Sequence, residues 1–392
     1  MREGWETKAL GEVCDVIGGG TPSKDNANFY TGDIPWATVR DMRSDVITQT
    51  EFKITKAAVA SSATNVISCG NVVIATRVGL GKVCLLEQDT AINQDLRGII
   101  PKDCNILHVR YLFWWLKSIS DLIIAEGTGA TVQGVKLPFI KSLKISLPPL
   151  PEQQRIVAIL DEAFSSIATA RANTERNLQN ARALFESYLH EVFSKRGEGW
   201  ELCKMGDVYD VRDGTHDSPK FYDAGYPLVT SKNLKRYGLD LEAVKFISEE
   251  DYNKINQRSA VNVGDILFAM IGTIGNPVLV KSEPNYAIKN MALFKVPSNQ
   301  SSEFLRYFLA AEITLSRMKS EANGTTQKFV GLGYLRKFEI ALPNISTQRR
   351  TVEALNAISF ETQRLESIYQ RKLNALDELK QSLLHQAFSG RL

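Results

Sequence analysis

Two patterns of apolar and polar positions run along this chain, and each occurs twice. The runs Val72-Val73-Ile74-Ala75 and Ile266-Leu267-Phe268-Ala269 follow Gly70-Asn71 and Gly264-Asp265, the wording of a buried strand leaving a tight turn. Each strand enters a glycine-spaced loop, Thr76 to Lys82 in the first case and Met270 to Asn276 in the second. Helix-like runs follow at 109–119 and 304–313. The apolar stretch 111–125 contains Lys117 and Asp121, so it is too short and too charged to span a bilayer and reads as a core helix. Strands of parallel wording, Leu143 to Pro148 and Phe338 to Pro343, close each segment.

The second pattern is helical and long. Between Glu152 and Phe193 there is neither proline nor glycine, and Pro148-Pro149-Leu150-Pro151 suits a helix start, with Glu152 beside the positive helix terminus. A continuous helix of roughly 60 Å is expected at about 1.5 Å per residue. Thr347 to Phe388 repeats the pattern, and Gly197 and Gly390 lie where C-terminal caps belong. Leu160, Ala163, Ile167, Ala170, Ala181, Leu184 and Tyr188 make one heptad stripe, interrupted by Thr174 and Asn177. Leu355, Ile358, Leu365, Tyr369, Leu376, Leu379 and Leu383 make the other, interrupted by Thr362 and Lys372. Antiparallel pairing sets Ala163 against Leu383, Ala170 against Leu376 and Ala181 against Leu365, small facing large. Parallel pairing also packs; connectivity, with the first helix delivering the chain to a second domain, favours antiparallel.

These patterns repeat because the chain is duplicated. Trp5-Glu6 returns as Trp200-Glu201, an offset of 195 in 392 residues, and Ser187, Leu189, His190, Phe193 and Ser194 return as Ser382, Leu384, His385, Phe388 and Ser389. Two domain-sized modules imply two similar tasks. The expected fold class is α+β: two similar mixed α/β domains (1–150 and 197–345) separated by two long antiparallel coiled-coil helices (151–196 and 346–392), with pseudo-two-fold symmetry. Paired domains at fixed separation suit two half-sites on duplex DNA, and roughly 60 Å of spacer approaches two helical turns of about 34 Å. A split target with an unread gap is expected.

Composition changes this picture little. The net charge of +3 does not by itself demand nucleic acid, and 44% apolar content is that of an ordinary globular protein. Cys14, Cys69, Cys84, Cys104 and Cys203 form no close pair and no metal-ligand spacing, so a reduced, cytoplasmic protein without metal is expected. The N-terminus shows no signal-peptide apolar region, and no membrane partner is expected.

The segment Leu147-Pro148-Pro149-Leu150-Pro151-Glu152-Gln153-Gln154-Arg155-Ile156 resembles the signature opening the long helical region in specificity subunits of type I restriction-modification systems. Ala341 to Arg350 is a weaker copy, retaining Leu-Pro and Gln-Arg. Trp5 with Leu10-Gly11-Glu12-Val13, Gly19-Gly20-Thr21-Pro22, Ile34-Pro35-Trp36 with Arg40-Asp41-Met42, Ala91-Ile92-Asn93-Gln94 and Gly324-Thr325-Thr326-Gln327-Lys328 are similar to that family's recognition domains. The resemblance implies two target-recognition domains, double-stranded DNA as ligand, two methyltransferase subunits as partners, and ATP-driven restriction (translocase) subunits for cleavage. S-adenosylmethionine, ATP and magnesium would belong to those partners, and this chain would hold no cofactor. The chain's own motifs agree: Gly79 to Lys82 lacks the first glycine of a phosphate loop, with Val83 at the Ser/Thr position, and Asn276-Pro277-Val278 lacks the second proline and aromatic residue of a methyltransferase loop. Two alternatives stand beside it: a self-sufficient methyltransferase or nuclease with degenerate motifs, and a helical scaffold that does not bind DNA.

Candidate DNA contacts follow. Arg40 and Lys232 fall at matching places after Pro35 and Pro227, where a cation meets a phosphate or a guanine edge, or is simply solvated. Arg77, Lys82, Thr273 and Asn276 sit in glycine-spaced loops that either approach DNA or only reverse the chain. Asn93, Gln94, Lys289 and Asn290 include amides able to pair with adenine or to satisfy turns. Thr131, Lys136, Thr325, Thr326 and Lys328 belong to loops that the resemblance places near DNA, and Thr21, His216 and Asn233 complete the set. Gln153, Arg155, Gln348 and Arg349 are candidate methyltransferase contacts, against a solvated helix face. His190 and His385 suit helix ends or a partner contact rather than metal or catalysis.

Overall fold

A computed structural model describes residues 4–129, 134–195, 197–235, 238–322 and 328–392. Two compact units emerge: Met1–Thr174 with Arg371–Leu392, and Glu175–Gln370. Thr131, Thr325 and Thr326 lie outside the described residues.

In the first unit a five-stranded sheet runs in the order Cys14–Gly18, Leu96–Pro101, Val72–Ala75, Val83–Leu86, Val46–Ile47. A four-stranded sheet runs Phe52–Ile54, Ile34–Ala37, Thr90–Ile92, Asn65–Ile67, and Glu6–Ala9 pairs with Lys144–Leu147. The second unit repeats the plan: a sheet in the order Asp210–Asp213, Met291–Lys295, Ile266–Ala269, Gly275–Leu279, a second of Lys245–Ile247, Tyr226–Val229 and Ala287–Ile288, and Glu201–Lys204 paired with Glu339–Leu342. Val72–Ala75 and Ile266–Ala269 are buried at every position, so both lie inside their sheets as their unbroken apolar runs require.

The apolar stretch 111–125 is not one helix. It divides into Val109–Ser118 and Ser120–Ala125 at Ile119, whose φ of −108° and ψ of 15° leave the helical basin. The hydroxyls of Ser118 and Ser120 donate to the carbonyls of Trp115 and Lys117, competing with the helix ladder where it breaks.

The long helices are Leu150–Ser194 and Ile345–Phe388. The second ends as its glycine predicts: Gly390 has φ of +75°, and the Arg391 N–H reaches back to the Gln386 carbonyl, a six-to-one closure. Within the first unit the pairing is antiparallel, Arg155 reaching Leu392, Phe164 lying under Lys380 and Arg171 meeting Asp377. Within the second, Arg182 meets Glu366 while Leu189 shares a core with Val352 and Leu355, again antiparallel.

The seam on the first helix differs from the expected stripe at three positions. Leu160, Ile167, Thr174, Ala181 and Tyr188 face inward, but between them Phe164, Leu178 and Phe185 take the places of Ala163, Asn177 and Leu184. Leu178 is 9% exposed and Leu184 56%. A heptad can be read with three-four or four-three spacing, and the larger side chains decide for the latter. On the second helix Leu373 is buried in place of Lys372, and Lys380 turns over Phe164 while Leu379 is exposed. Thr174, a polar break in the stripe, is buried, because its hydroxyl is satisfied by the Ala170 carbonyl one turn back.

The long helices are part of each core. Tyr111, Phe113 and Trp114 of the first unit pack with Leu160, Phe164, Leu384 and Ala387; Phe304, Leu305 and Phe308 of the second pack with Leu189, Val352 and Leu355. Among the described residues no helix is long and apolar enough to cross a membrane.

Candidate nucleic-acid interface

One backbone arrangement is built in both units, and most predicted contacts hang on it. In the first unit Ile34–Ala37 runs parallel to Thr90–Ile92, and the Asn93 N–H donates to the Ala37 carbonyl at 3.0 Å. In the second, Tyr226–Val229 runs parallel to Ala287–Ile288, and the Lys289 N–H donates to the Val229 carbonyl at 2.8 Å. Beside each pair a third segment crosses, the Gly20 N–H donating to Ile92 and the Thr215 N–H to Ile288, both at 3.0 Å. The crossing needs glycine just before it. A Cβ on Gly19 would lie 2.1 Å from the Asn93 carbonyl, and one on Gly214 2.4 Å from that of Ile288.

The register makes Thr21 the counterpart of His216, and Gln94 that of Asn290. The Thr21 hydroxyl donates to the Gln94 side-chain oxygen, and His216 Nδ1 lies 2.9 Å from Asn290 Oδ1. Both pairs thus hold an amide oxygen and leave the amide NH2 without a partner among the described residues. His216 Nε2 also meets Asp213 at 2.9 Å. The imidazole is held above its ordinary pKa by the Asp213 hydrogen bond first and the Asn290 bond second, against desolvation and the Arg258 charge.

Each parallel pair is followed by one turn of 3-10 helix, Val39–Asp41 or Ser231–Asn233, closed by the same device. The Asp41 carboxylate accepts from the Thr38 N–H and hydroxyl at 2.7 and 3.0 Å; the Asn233 amide oxygen accepts both from Thr230 at 3.0 Å. The closing residue is buried and the middle one exposed, which places Arg40 and Lys232 at the same point of each unit. Arg40 lies 3.7 Å from Glu51, and Lys232 has no side-chain partner among the described residues.

The glycine-spaced loops dock beside these turns. Thr76 and Arg77 donate their N–H groups to the Asp95 carbonyl at 2.8 and 3.3 Å, Arg77 is 3.7 Å from the Asp95 carboxylate, and Lys82 Nζ donates to Met42. Asn276, with φ of +47°, donates its amide to Leu234, while Gly272 and Thr273 are the exposed residues of the loop. Further strands of chain bridge to both loops, Gly134 to Arg77 and Phe329 to Ile271. They bring in the exposed Lys136 and Lys328, the latter donating to the Lys319 carbonyl.

Four predicted residues are removed from any outside contact. Asn93 is 5% exposed and closes a turn with Asp95, and Asn233 is 5% exposed and donates to the carbonyls of Asp240 and Ala243. Gln153 and Gln348, expected either to meet a methyltransferase or to be solvated, are fully buried. Gln153 accepts from the His108 N–H at 2.9 Å and donates to Ile106 and Pro148; Gln348 accepts from the Ser301 N–H at 3.0 Å and donates to Gln300 and Pro343. They bolt the long helices to their domains. Arg155 is held by Glu152 and the Leu392 carbonyl, while Arg349 is exposed.

The second unit also carries a cleft of about 480 Å³, lined by Lys232, Lys289 and Asn290 and by two residues that sequence reasoning missed, Phe221 and Lys245. The available signal was the run Lys220-Phe221-Tyr222, aromatic rings interleaved with cations.

Known proteins share this duplicated plan. The family model of the type I restriction modification DNA specificity domain matches residues 2–177 and again 197–373. The type I restriction enzyme MjaIX specificity subunit of Methanocaldococcus jannaschii is 25% identical over 368 residues, covering 86% of this chain and 83% of its own length. The EcoR124I/EcoR124II specificity subunit of Escherichia coli is 34% identical over 196 residues, 48% of each chain. Among solved structures, a chain from work on complex assembly and conformational transition of the type I R-M system superposes with a TM-score of 0.82 at 20% identity, over 100% of this chain and 99% of that one. The HsdS subunit from Thermoanaerobacter tengcongensis gives 0.66 at 21% identity, over 100% and 98%. At these identities the two structures speak for the fold alone.

Proposed function

The chain belongs to the type I restriction-modification DNA specificity family, and from that membership we propose that it reads a bipartite DNA target with an unread gap and docks catalytic subunits onto it. Reading is assigned to 1–150 and 197–345, and spacing to 151–196 and 346–392. Two methyltransferase subunits supply adenine methylation with S-adenosylmethionine, and restriction subunits supply ATP- and magnesium-dependent cleavage. The assembly works in the cytoplasm.

One observation carries the reading. Both units repeat the same backbone arrangement but fill it with different side chains, Thr21 and Gln94 in one and His216 and Asn290 in the other. Two readers of one design with different tips suit two dissimilar half-sites. Amide NH2 groups and hydroxyls present donors to base edges, while Arg40, Arg77, Lys82, Lys136, Lys289 and Lys328 hold the backbone.

The test is methylation mapping of DNA from cells carrying this chain with its co-encoded methyltransferase. A bipartite methylated motif is expected, absent when this chain is deleted. Grafting the exposed loop residues of a different family member onto the first unit should alter one half of the motif and leave the other. Methylation of the same sites by the partner alone eliminates the proposal.

A further inference from the structure

We propose that the cleft of the second unit is a seat for one phosphodiester of the bound DNA, a grip the first unit does not have; this rests on the DNA-reading function proposed above. The cleft holds about 480 Å³, and among the described residues no carboxylate lines it. Three lysines do, each in a different state. Lys289 is fixed in place, donating to the Asp217 carbonyl and the Ser218 hydroxyl at 2.7 Å each, with one N–H left over. Lys245 holds its ammonium 4.4 Å above the Phe221 ring. Lys232 stands on its 3-10 turn with no partner among the described residues.

The acceptors that would compete for these cations are already used. The Asn233 amide oxygen closes the turn with Thr230, and that of Asn290 faces His216, so Asn290 offers the cleft only its NH2. Apolar side chains (Phe221, Leu228, Ala243, Val244 and Ile271) line the rest of the cleft, and the cations and the Asn290 NH2 set among them suit a projecting, anionic, acceptor-only group. Base edges lie at the floor of a groove and are reached by protruding side chains. Phosphodiesters project from the duplex, and lysine serves them as a point charge.

The first unit is filled where the second is open. The register sets Trp36 beside Ala91 and opposite Phe52, and sets Leu228 beside Ala287 and opposite Lys245. Trp36 and Phe52 therefore occupy the places of Leu228 and Lys245, and their rings pack edge to face at 6.4 Å. Two aromatic side chains replace an aliphatic one and a cation.

The test uses the full chain in complex with its co-encoded methyltransferase and a duplex carrying the mapped methylation motif. Each lost phosphate contact flattens the slope of log affinity against log salt by about 0.9. The double variant Lys232→Ala with Lys245→Ala should flatten it by about 0.9, so that a fourfold rise in salt costs it about three- to fourfold less affinity than the wild type. The Lys→Arg pair should restore the slope, and the methylated motif should stay unchanged. Scanning single methylphosphonate substitutions along the second half-site should find one position that weakens the wild type and leaves the double variant unaffected. An unchanged slope overturns the proposal, as does a changed base preference in the motif, which would make the cleft an edge reader. Should the wild-type complex itself show no preference for its motif, the DNA-reading function fails first and the seat falls with it.

Discussion

Gln153→Leu keeps the side-chain volume and deletes three buried hydrogen bonds at once. The bonds run at 2.9 Å from the His108 N–H and at 2.8 and 2.9 Å to the Ile106 and Pro148 carbonyls, around a side chain with 0% exposure. At about 1 kcal/mol each the bonds account for about 3 kcal/mol, and a buried backbone group left without a partner adds about 1–3 kcal/mol where water cannot follow. The expected loss is about 4–6 kcal/mol, at the severe end for one substitution. Four of the five tryptophans, Trp5, Trp36, Trp114 and Trp115, lie in the first unit, so urea unfolding of the full chain followed by tryptophan fluorescence reports chiefly on that unit. With a slope of about 2 kcal/mol per molar, the midpoint should fall by roughly 2–3 M. Gln154→Leu, one residue along on the exposed face, should stay within about 0.5 kcal/mol of the wild type. Equal shifts for the two variants would refute the bolt.

Two further outcomes follow from the titrating groups. His216 should titrate above the ordinary histidine value of about 6.5, because its raised pKa marks a protonated form favoured by Asp213 and Asn290. Its stabilising contribution is complete below that ordinary value and fades as pH rises through the folded one. Nuclear magnetic resonance of the imidazole should show Asp213→Asn pulling the titration down, and an insensitive midpoint counts against the pairing. Burial pushes the Cys14 thiol up to about 12 and that of Cys84 up to about 11, in each case as the first cause. Their thiolate fractions at pH 8 are then about 10⁻⁴ and 10⁻³, so iodoacetamide should label exposed Cys69 and Cys104 in the native chain and spare the other two until it unfolds. Equal labelling of Cys14 and Cys69 in folded protein contradicts the burial.

The elements carried by local periodicity were legible from residues alone. Val72–Ala75, Ile266–Ala269 and both long helices follow from apolar runs, turn residues and the absence of proline and glycine. What escaped depends on partners distant in sequence. Gln153 has the setting of a solvated helix start, and only its hydrogen bond to a backbone N–H 45 residues upstream makes it structural. The outward-facing residues were named as candidates, but most of their matching between the copies was not legible, because the 195-residue offset does not hold in the loops. Arg40 corresponds to Lys232 and Asn93 to Lys289, offsets of 192 and 196, because insertions and deletions fall between the strands. The pairing of Thr21 with Gln94, matched by His216 with Asn290, follows from sheet register and from no sequence spacing. The seam was half legible, since a heptad read from one helix leaves the choice between three-four and four-three spacing to the partner's side chains.

The repeat separates positions by the kind of partner they have. Where a side chain holds backbone, the two copies are alike in chemistry: glutamine at 153 and 348, a capping acceptor at 41 and 233, glycine at 19 and 214. Asp161 and Asn356, also 195 apart, each accept a hydrogen bond from an aromatic donor of the neighbouring domain helix, the Trp114 indole at 2.8 Å and the Tyr307 hydroxyl at 2.6 Å. Where a side chain points outward the copies diverge, Thr21 against His216 and Gln94 against Asn290. A fixed frame costs stability when altered, since buried polar groups lose partners that nothing else replaces. The exposed tips carry no such penalty and can change without disturbing the fold. Under the proposed function, a chain built this way would acquire a new half-target through a few surface residues, because the bolts, caps and crossings that aim them are satisfied independently of the tips.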